Sequence, residues 1–242
     1  MIDMNEKLCI IHMKTLYESL LDDFDTLSNK IDPREAVKQF IETHCGCWKY
    51  NISQKPNKDG KFEVSAKRVI IRGKTPSQEG APGITNGMFV WTNVESDFIC
   101  NSNPNITSLE GCPKIVGGKF SCSFNPNLTS LEGAPEQCQS FDCSYCPKLT
   151  SLKGGPKMIT GDNTNSRYGA YLCMHCDNLE SLEGAPQQSR MIQQFAVSQC
   201  PKLTSLKGIS KKIDVLGVAG TGIKSINDEV RKYCQKVKTI WD

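Results

Sequence analysis

The sequence lacks the features that mark membrane proteins and the common enzyme classes. Its apolar runs fall far short of the roughly 20 residues that cross a bilayer, and residues 1–20 lack the charged-then-apolar layout of a secretory signal peptide. It contains no phosphate-binding loop, no Gly-x-Ser-x-Gly and no His-Glu-x-x-His, and it has only three histidines. We therefore expect a cytoplasmic protein that is not an enzyme, uses no cofactor and binds no membrane.

A nine-residue phrase close to Asn-Leu-Thr-Ser-Leu-Glu-Gly-Ala-Pro occurs five times, at residues 105–113, 127–135, 148–156, 178–186 and 202–210. Eleven residues before the central leucine of each copy stands an aromatic residue: Phe98, Phe120, Phe141, Tyr171 and Phe195. Six residues before it stands an asparagine or a cysteine: Asn103, Asn125, Cys146, Cys176 and Cys200. Such a repeat predicts stacked coils that share one core, because a single coil cannot bury its own apolar edge.

The strand, the Asn/Cys column and the Leu-x-x-Leu phrase together resemble the leucine-rich repeat, over about residues 60–226. The SLEGAP form is similar to the short repeats of bacterial effectors and of phage-encoded proteins. This resemblance implies an α+β protein, a leucine-rich-repeat-like solenoid whose coils form a parallel β-sheet with an irregular convex side. It also implies a protein-binding function, directed at a bacterial host protein if the chain is phage-encoded.

The chain divides into four segments by its periodicity and its turn residues. Apolar residues recur at three-to-four spacing over Leu8–Ile31, and Asp32-Pro33 is a good start for a second helix. Similar spacing near the end, from Ile226 to Val237, predicts a helix that covers the last coil. The segments are a helical N-terminal region (1–47), a β-rich N-terminal cap (48–78), the repeats (79–226) and a C-terminal capping helix (227–242).

The thirteen cysteines raise the question of metal binding. Two CxxC pairs, Cys143–Cys146 and Cys173–Cys176, have the spacing of zinc ligands, but the repeat itself generates both, which favours buried, inert thiols. A second zinc candidate, at the N-terminus, combines four residues. Their alternative role is helix packing by the cysteines beside surface histidines. The four residues are Cys9, His12, His44 and Cys45. We predict no metal site, and the odd cysteine count favours a reducing cytoplasm.

The alternation of side chains along a strand identifies the surface that a partner can contact. If the aromatic residues point inward, the outward positions of the later coils carry an apolar patch, which either a partner or the C-terminal helix would cover. This patch comprises Leu172, Met174, Ala196, Leu216 and Val218. A second row, one residue before the Asn/Cys column, either anchors an interface or stacks on itself. It comprises Phe124, Tyr145, His175 and Gln199.

Two insertions interrupt the period at the same phase of the coil, so they should leave the same edge of the solenoid. The first, Gly83–Glu95, carries Phe89 and Trp91, and the second, Lys157–Gly169, carries Arg167 and Tyr168. Insertions on one edge of a repeat array often form its binding face, although idle loop growth costs little. We include these four side chains among the predicted partner contacts.

The sequence thus predicts a non-enzymatic protein–protein interaction module. Its resemblance to phage-type repeats implies a partner in the bacterial host, such as an enzyme or defence factor that the protein would bind and inhibit. Two other classes of function stay open. A nucleic-acid-binding protein would use the basic C-terminal end, where residues 202–242 hold nine Lys or Arg and four Asp or Glu, although no aromatic-interleaved basic motif supports it. A zinc-binding protein would use the N-terminal Cys and His residues.

Overall fold

The computed structural model describes residues 32–76, 78–161, 169–225 and 234–238. In that part of the chain one α-helix lies beside an open, mostly parallel sheet of thirteen strands. The helix α1 is Pro33–His44, and the strands β1 to β13 are Cys45–Ile52, Phe62–Ile71, Phe89–Val94, Phe98–Ile99, Ile115–Val116, Lys119–Ser121, Gln137–Cys138, Ser140–Asp142, Met158–Ile159, Ala170–Leu172, Ile192–Ala196, Ile213–Gly217 and Cys234–Lys238. Among the described residues, no helix is long and apolar enough to cross a membrane.

Helix α1 begins at the predicted residue. The Asp32 carboxylate accepts a hydrogen bond from the backbone N–H of Arg34 at 3.0 Å, and Pro33 occupies the first helical position, where its missing N–H costs nothing. Its apolar face is buried, and β1 and β2 then pair antiparallel, within and next to the segment predicted to be a β-rich cap. The other predicted N-terminal helix, Leu8–Ile31, lies outside the described residues.

Strand β2 is the branch point of the sheet. Its first half pairs with β3 and its second half with β4, with an irregularity in register between Val64 and Ala66. From there one arm continues through β5, β7 and β9, and the other through β6, β8, β10, β11, β12 and β13. Each of the next three coils therefore gives a short strand to each arm, and all these pairings are parallel, as stacked coils require.

The core contains the residues that the repeat predicts. The central leucines of the first four copies have no exposed surface, and the fifth, Leu206, is 7% exposed. The glycine that follows them adopts the left-handed region, for example Gly133 at φ 88°, and a Cβ there would collide with the backbone of Leu109 in the preceding coil. The coils can therefore stack this closely only with glycine at this turn.

The aromatic column forms a continuous stack, here called the aromatic spine (Phe98, Phe120, Phe141, Tyr171 and Phe195). Neighbouring ring centroids are 5.1 to 5.5 Å apart, and all five side chains are fully buried. The spacing exceeds the strand separation of about 4.8 Å only slightly, so parallel pairing in register dictates the stack. Trp91 closes one end by an edge contact with Phe98 at 5.9 Å.

The C-terminal helix predicted over 227–242 is wrong for Cys234–Lys238, which forms β13 and pairs in parallel with β12. Cys234 lies opposite Ile213, and Val237 lies opposite Leu216. The helical spacing of the apolar residues was misleading, because a helix there would leave the backbone groups of the β12 edge without partners, whereas a further strand satisfies them. The remainder of 227–242 lies outside the described residues.

Candidate partner-binding surface

One residue in each coil adopts a left-handed backbone conformation although it is not glycine. These residues are Ser102, Phe124, Tyr145, His175 and Gln199, with φ between 54° and 59°. A left-handed conformation is uncommon for any residue other than glycine, asparagine or aspartate, and it is unfavourable for a bulky side chain. Its recurrence at one position of every coil makes it a built-in feature of the turn at which the strand ends.

The next residue in each coil explains why the chain tolerates this conformation. The Asn125 side-chain amide donates to the backbone carbonyls of Cys100 and Cys122, at 2.9 Å each, and its oxygen accepts from the N–H of Asn103 at 2.8 Å. Where the column carries cysteine, the thiol donates to the carbonyl of the preceding coil, as Cys146 does to Cys122 at 3.3 Å. The left-handed residue turns this polar side chain into the core, and its own side chain therefore points outward.

Three of the outward side chains form a stack, here called the aromatic ladder (Phe124, Tyr145 and His175). The ring centroids of Phe124 and Tyr145 are 4.3 Å apart with planes 8° from parallel, and those of Tyr145 and His175 are 4.4 Å apart with planes at 11°. Phe124 is 51% exposed and Tyr145 is 40% exposed. The rings thus stack on one another, as one reading of the sequence predicts, and they still present a large aromatic surface to solvent.

Beside the ladder lies the outward face of β6, β8 and β10. Leu172 and Met174 are half-buried there, next to the ion pair between Lys119 and Asp142, whose Nζ–Oδ2 distance is 2.9 Å. The serines of the same face are buried and structural, since the Ser144 hydroxyl accepts the N–H of Met174 at 3.1 Å. These serines therefore hold neighbouring strands together.

Three predicted contact residues are wrong, because the structure buries them. Leu216 has no exposed surface, and it lies opposite Phe195 at the next position of the inward column. The inward positions of the last coil are thus shifted by one residue from the predicted ones. Leu216 and Val218 point inward, at the positions that an aromatic residue and a cysteine occupy in the first four coils. Phe89 and Trp91 are not in a loop but in β3, where Phe89 is fully buried and the Trp91 indole donates to the Ile84 carbonyl at 3.2 Å.

The remaining predicted site residues divide between described and undescribed parts of the chain. Arg167, Tyr168, Cys9 and His12 lie outside the described residues. His44 contacts Phe40, with ring centroids 5.0 Å apart and ring planes tilted by 52°. Cys45 is buried, and a hydrogen bond with Cys47 together with burial raises the pKa of its thiol. No group of three or more potential metal ligands occurs within the described ranges.

The four cysteines of the two CxxC pairs are fully buried in the core. The Cys173 thiol donates to the Cys176 sulfur at 3.5 Å, and its hydrogen bond with Cys143 and its burial raise its pKa. A raised pKa keeps the thiol protonated, which is the poorly nucleophilic form. His175 cannot serve as a base for Cys173, since its ring stacks outward on Tyr145 whereas the thiol lies in the core.

Two features of the surface were missed from the sequence. Trp48 on β1 is 59% exposed, with the Lys67 ammonium 4.9 Å from its ring centroid. A cleft with three basic residues opens in front of β11 and β12 and contains Arg190 and Lys211. The repeat alignment contained the signal for this cleft, because both residues stand two positions before the first inward residue of their strands, Ile192 and Ile213.

No family model, curated protein or solved structure matches this chain.

Proposed function

We propose that the chain is a non-enzymatic protein–protein interaction module of the leucine-rich-repeat type, and that the aromatic ladder is the centre of its binding surface. The observation that carries this proposal is the exposure of Phe124 and Tyr145 on left-handed backbone. A solvated ring contributes little to folding, whereas tyrosine and other aromatic residues are enriched among the residues that dominate binding energy. The resemblance of the repeats to phage-type sequences extends the proposal to a bacterial host protein as the partner.

The ladder suits a partner that offers a flat side chain. Its rings are stacked nearly parallel, and beyond the Phe124 ring the equivalent position of the neighbouring coil is Ser102, which carries no ring. An aromatic ring or an arginine guanidinium from the partner can extend the stack at this end. The half-buried Leu172 and Met174 would supply apolar contact beside it, and the Lys119–Asp142 pair would supply a polar rim.

The proposal is tested by affinity capture from bacterial lysate followed by mass spectrometry. The test variant is Phe124→Asn/Tyr145→Asn, because asparagine removes the rings and accepts the left-handed conformation better than most residues. The matched control is Gln199→Asn, which makes the same replacement at the same backbone position without removing a ring. Both variants should retain the circular dichroism spectrum of the wild type.

We expect a stoichiometric partner that the control retains and the double variant loses by about 30-fold or more in affinity, since a central aromatic contact contributes about 2 kcal/mol. A partner that binds the double variant as tightly as the wild type would exclude the ladder. The variant Leu172→Glu/Met174→Glu then tests whether the adjoining sheet face is the binding surface instead. Absence of any partner for the wild type would contradict the interaction function itself.

A further inference from the structure

A cleft of about 930 Å³ lies between the end of β9 and the turns that precede β11 and β12. Its volume is within the range of about 300 to 1,000 Å³ that is usual for small-molecule sites. It is separate from the aromatic ladder, since the two share no residue. Both apolar and polar groups line it, including Met158, Met191 and Thr160.

The charge of the cleft is of one sign. Arg190, Lys211 and Lys212 line it, and its described lining residues include no Asp or Glu. The register of β11 and β12 explains the clustering: Ile192 lies opposite Ile213, so Arg190 and Lys211 occupy the same position in adjacent coils, about one strand spacing apart. Two cations at that separation repel each other unless an anion lies between them.

Two nearby lysines each have an acidic partner. Lys157 stands at the equivalent position one coil earlier and pairs with Glu136 at 3.7 Å, and Lys153 pairs with Glu183 at 3.3 Å. Among the described residues, Arg190, Lys211 and Lys212 have no acidic partner within 4.0 Å. The cleft is thus a place where positive charge accumulates without internal compensation.

An independent observation comes from Ser210, which also lines the cleft. Its side-chain hydroxyl is buried and has no hydrogen-bond partner in the described structure, although the residue is only 2% exposed. Buried hydroxyls are nearly always paired, and an unpaired one costs free energy. The neighbouring Ser189 shows the usual situation, because its hydroxyl accepts the N–H of Ile159 at 2.8 Å.

From this geometry we infer that the cleft binds a phosphate-bearing small molecule of about the size of a nucleoside diphosphate. The Arg190 guanidinium can hold a phosphate by two parallel hydrogen bonds, and the two lysines act as point charges on the same group. We expect the Ser210 hydroxyl to donate to a phosphate oxygen, which would give it the partner that it lacks. This ligand site goes beyond the proposed protein-binding function and does not depend on it.

The test is isothermal titration calorimetry on the full-length protein, with four probes: inorganic pyrophosphate, ADP, citrate and a short DNA duplex. We expect pyrophosphate and ADP to bind, and citrate to bind at least tenfold more weakly. Tighter binding of ADP than of pyrophosphate would add recognition of the nucleoside to that of the phosphates. At about 100-fold excess over Kd, pyrophosphate should raise the melting temperature by about 5 to 10 °C.

The variant Arg190→Gln/Lys211→Gln should weaken pyrophosphate binding at least 100-fold, since each charge-assisted contact contributes about tenfold or more. The matched control is Lys114→Gln, which removes an exposed cation from the same strand position three coils before Arg190 and outside the cleft, and it should bind as the wild type does. Ser210→Ala should weaken binding without lowering the melting temperature of the unliganded protein.

Three results would overturn the inference. The first is the absence of heat and of thermal stabilisation with both phosphate probes. The second is an equal loss of binding in the Lys114→Gln control, which would indicate general charge screening. The third is tighter binding of the DNA duplex or of citrate than of pyrophosphate, which would assign the cleft to a nucleic-acid backbone or to carboxylates instead.

Discussion

Replacing Tyr171 with phenylalanine should stabilise the protein. Tyr171 is the one member of the aromatic spine that carries a hydroxyl; this hydroxyl is buried and has no hydrogen-bond partner in the described structure. An unpaired buried hydroxyl costs about 1 to 3 kcal/mol, and the space left by its removal, smaller than a methyl group, costs less than about 1 kcal/mol. Tyr171→Phe should therefore increase the free energy of unfolding by about 1 kcal/mol.

The neighbouring turn shows how the chain accommodates this hydroxyl. A Cβ on Gly155 would lie 3.0 Å from the Tyr171 oxygen, and this coil alone has glycine there. The corresponding residues of the other coils all carry a Cβ: Cys112, Ala134, Ala185 and Ile209. Gly155→Ala should thus destabilise the wild type by about 1 kcal/mol or more. Tyr171→Phe should reduce this loss, because it removes the contact with the hydroxyl, although the 2.9 Å contact of the new Cβ with the Leu152 carbonyl oxygen remains.

The assay is urea unfolding of the wild type, both single variants and the double variant, which yields a coupling energy of about 1 kcal/mol or more. In thermal melts Tyr171→Phe should raise the midpoint by about 2 to 4 °C. The reverse change, Phe141→Tyr, places a hydroxyl against Ala134 and should lower stability by about 2 kcal/mol. A lower free energy of unfolding for Tyr171→Phe would contradict this prediction, because the hydroxyl would then make a stabilising contact.

Two further predictions concern the Asn/Cys column and the thiols. Asn125→Ala should lower the free energy of unfolding by about 3 kcal/mol, because three backbone groups lose their hydrogen-bond partner. Asn125→Cys should lower it clearly less, since Cys146 makes the equivalent bond in the next coil. Urea unfolding measures both variants, and equal losses would contradict this role. Burial raises the pKa of the thiols of Cys100, Cys122 and Cys143. In the unfolded state the thiols lose their protons above about pH 8.5, whereas in the folded state these three thiols stay protonated. The free energy of unfolding should therefore fall between pH 8.5 and 10, by up to about 1.4 kcal/mol per pH unit for each thiol. A flat profile in urea titrations over that range would show that the thiols are accessible in the folded state.

The repeat in the sequence was sufficient to predict the stacked coils, the inward leucines and the Asn/Cys turns. These features follow from local chemistry that recurs in every copy: a leucine at a fixed spacing must be buried, and an asparagine or cysteine at a strand end must satisfy nearby carbonyls. The start of α1 was predictable for the same reason, since Asp32 and Pro33 act within one turn of the helix.

The features that could not be predicted depend on pairings between distant residues. Strand β13 forms because the edge of β12 offers backbone partners to residues whose own spacing favours a helix. Phe89 and Trp91 are buried because β2 is long enough to pair with two strands, which draws the first insertion into the sheet. The aromatic ladder and the basic cleft likewise exist only after parallel pairing in register has placed equivalent residues of successive coils side by side, at distances that no single repeat specifies.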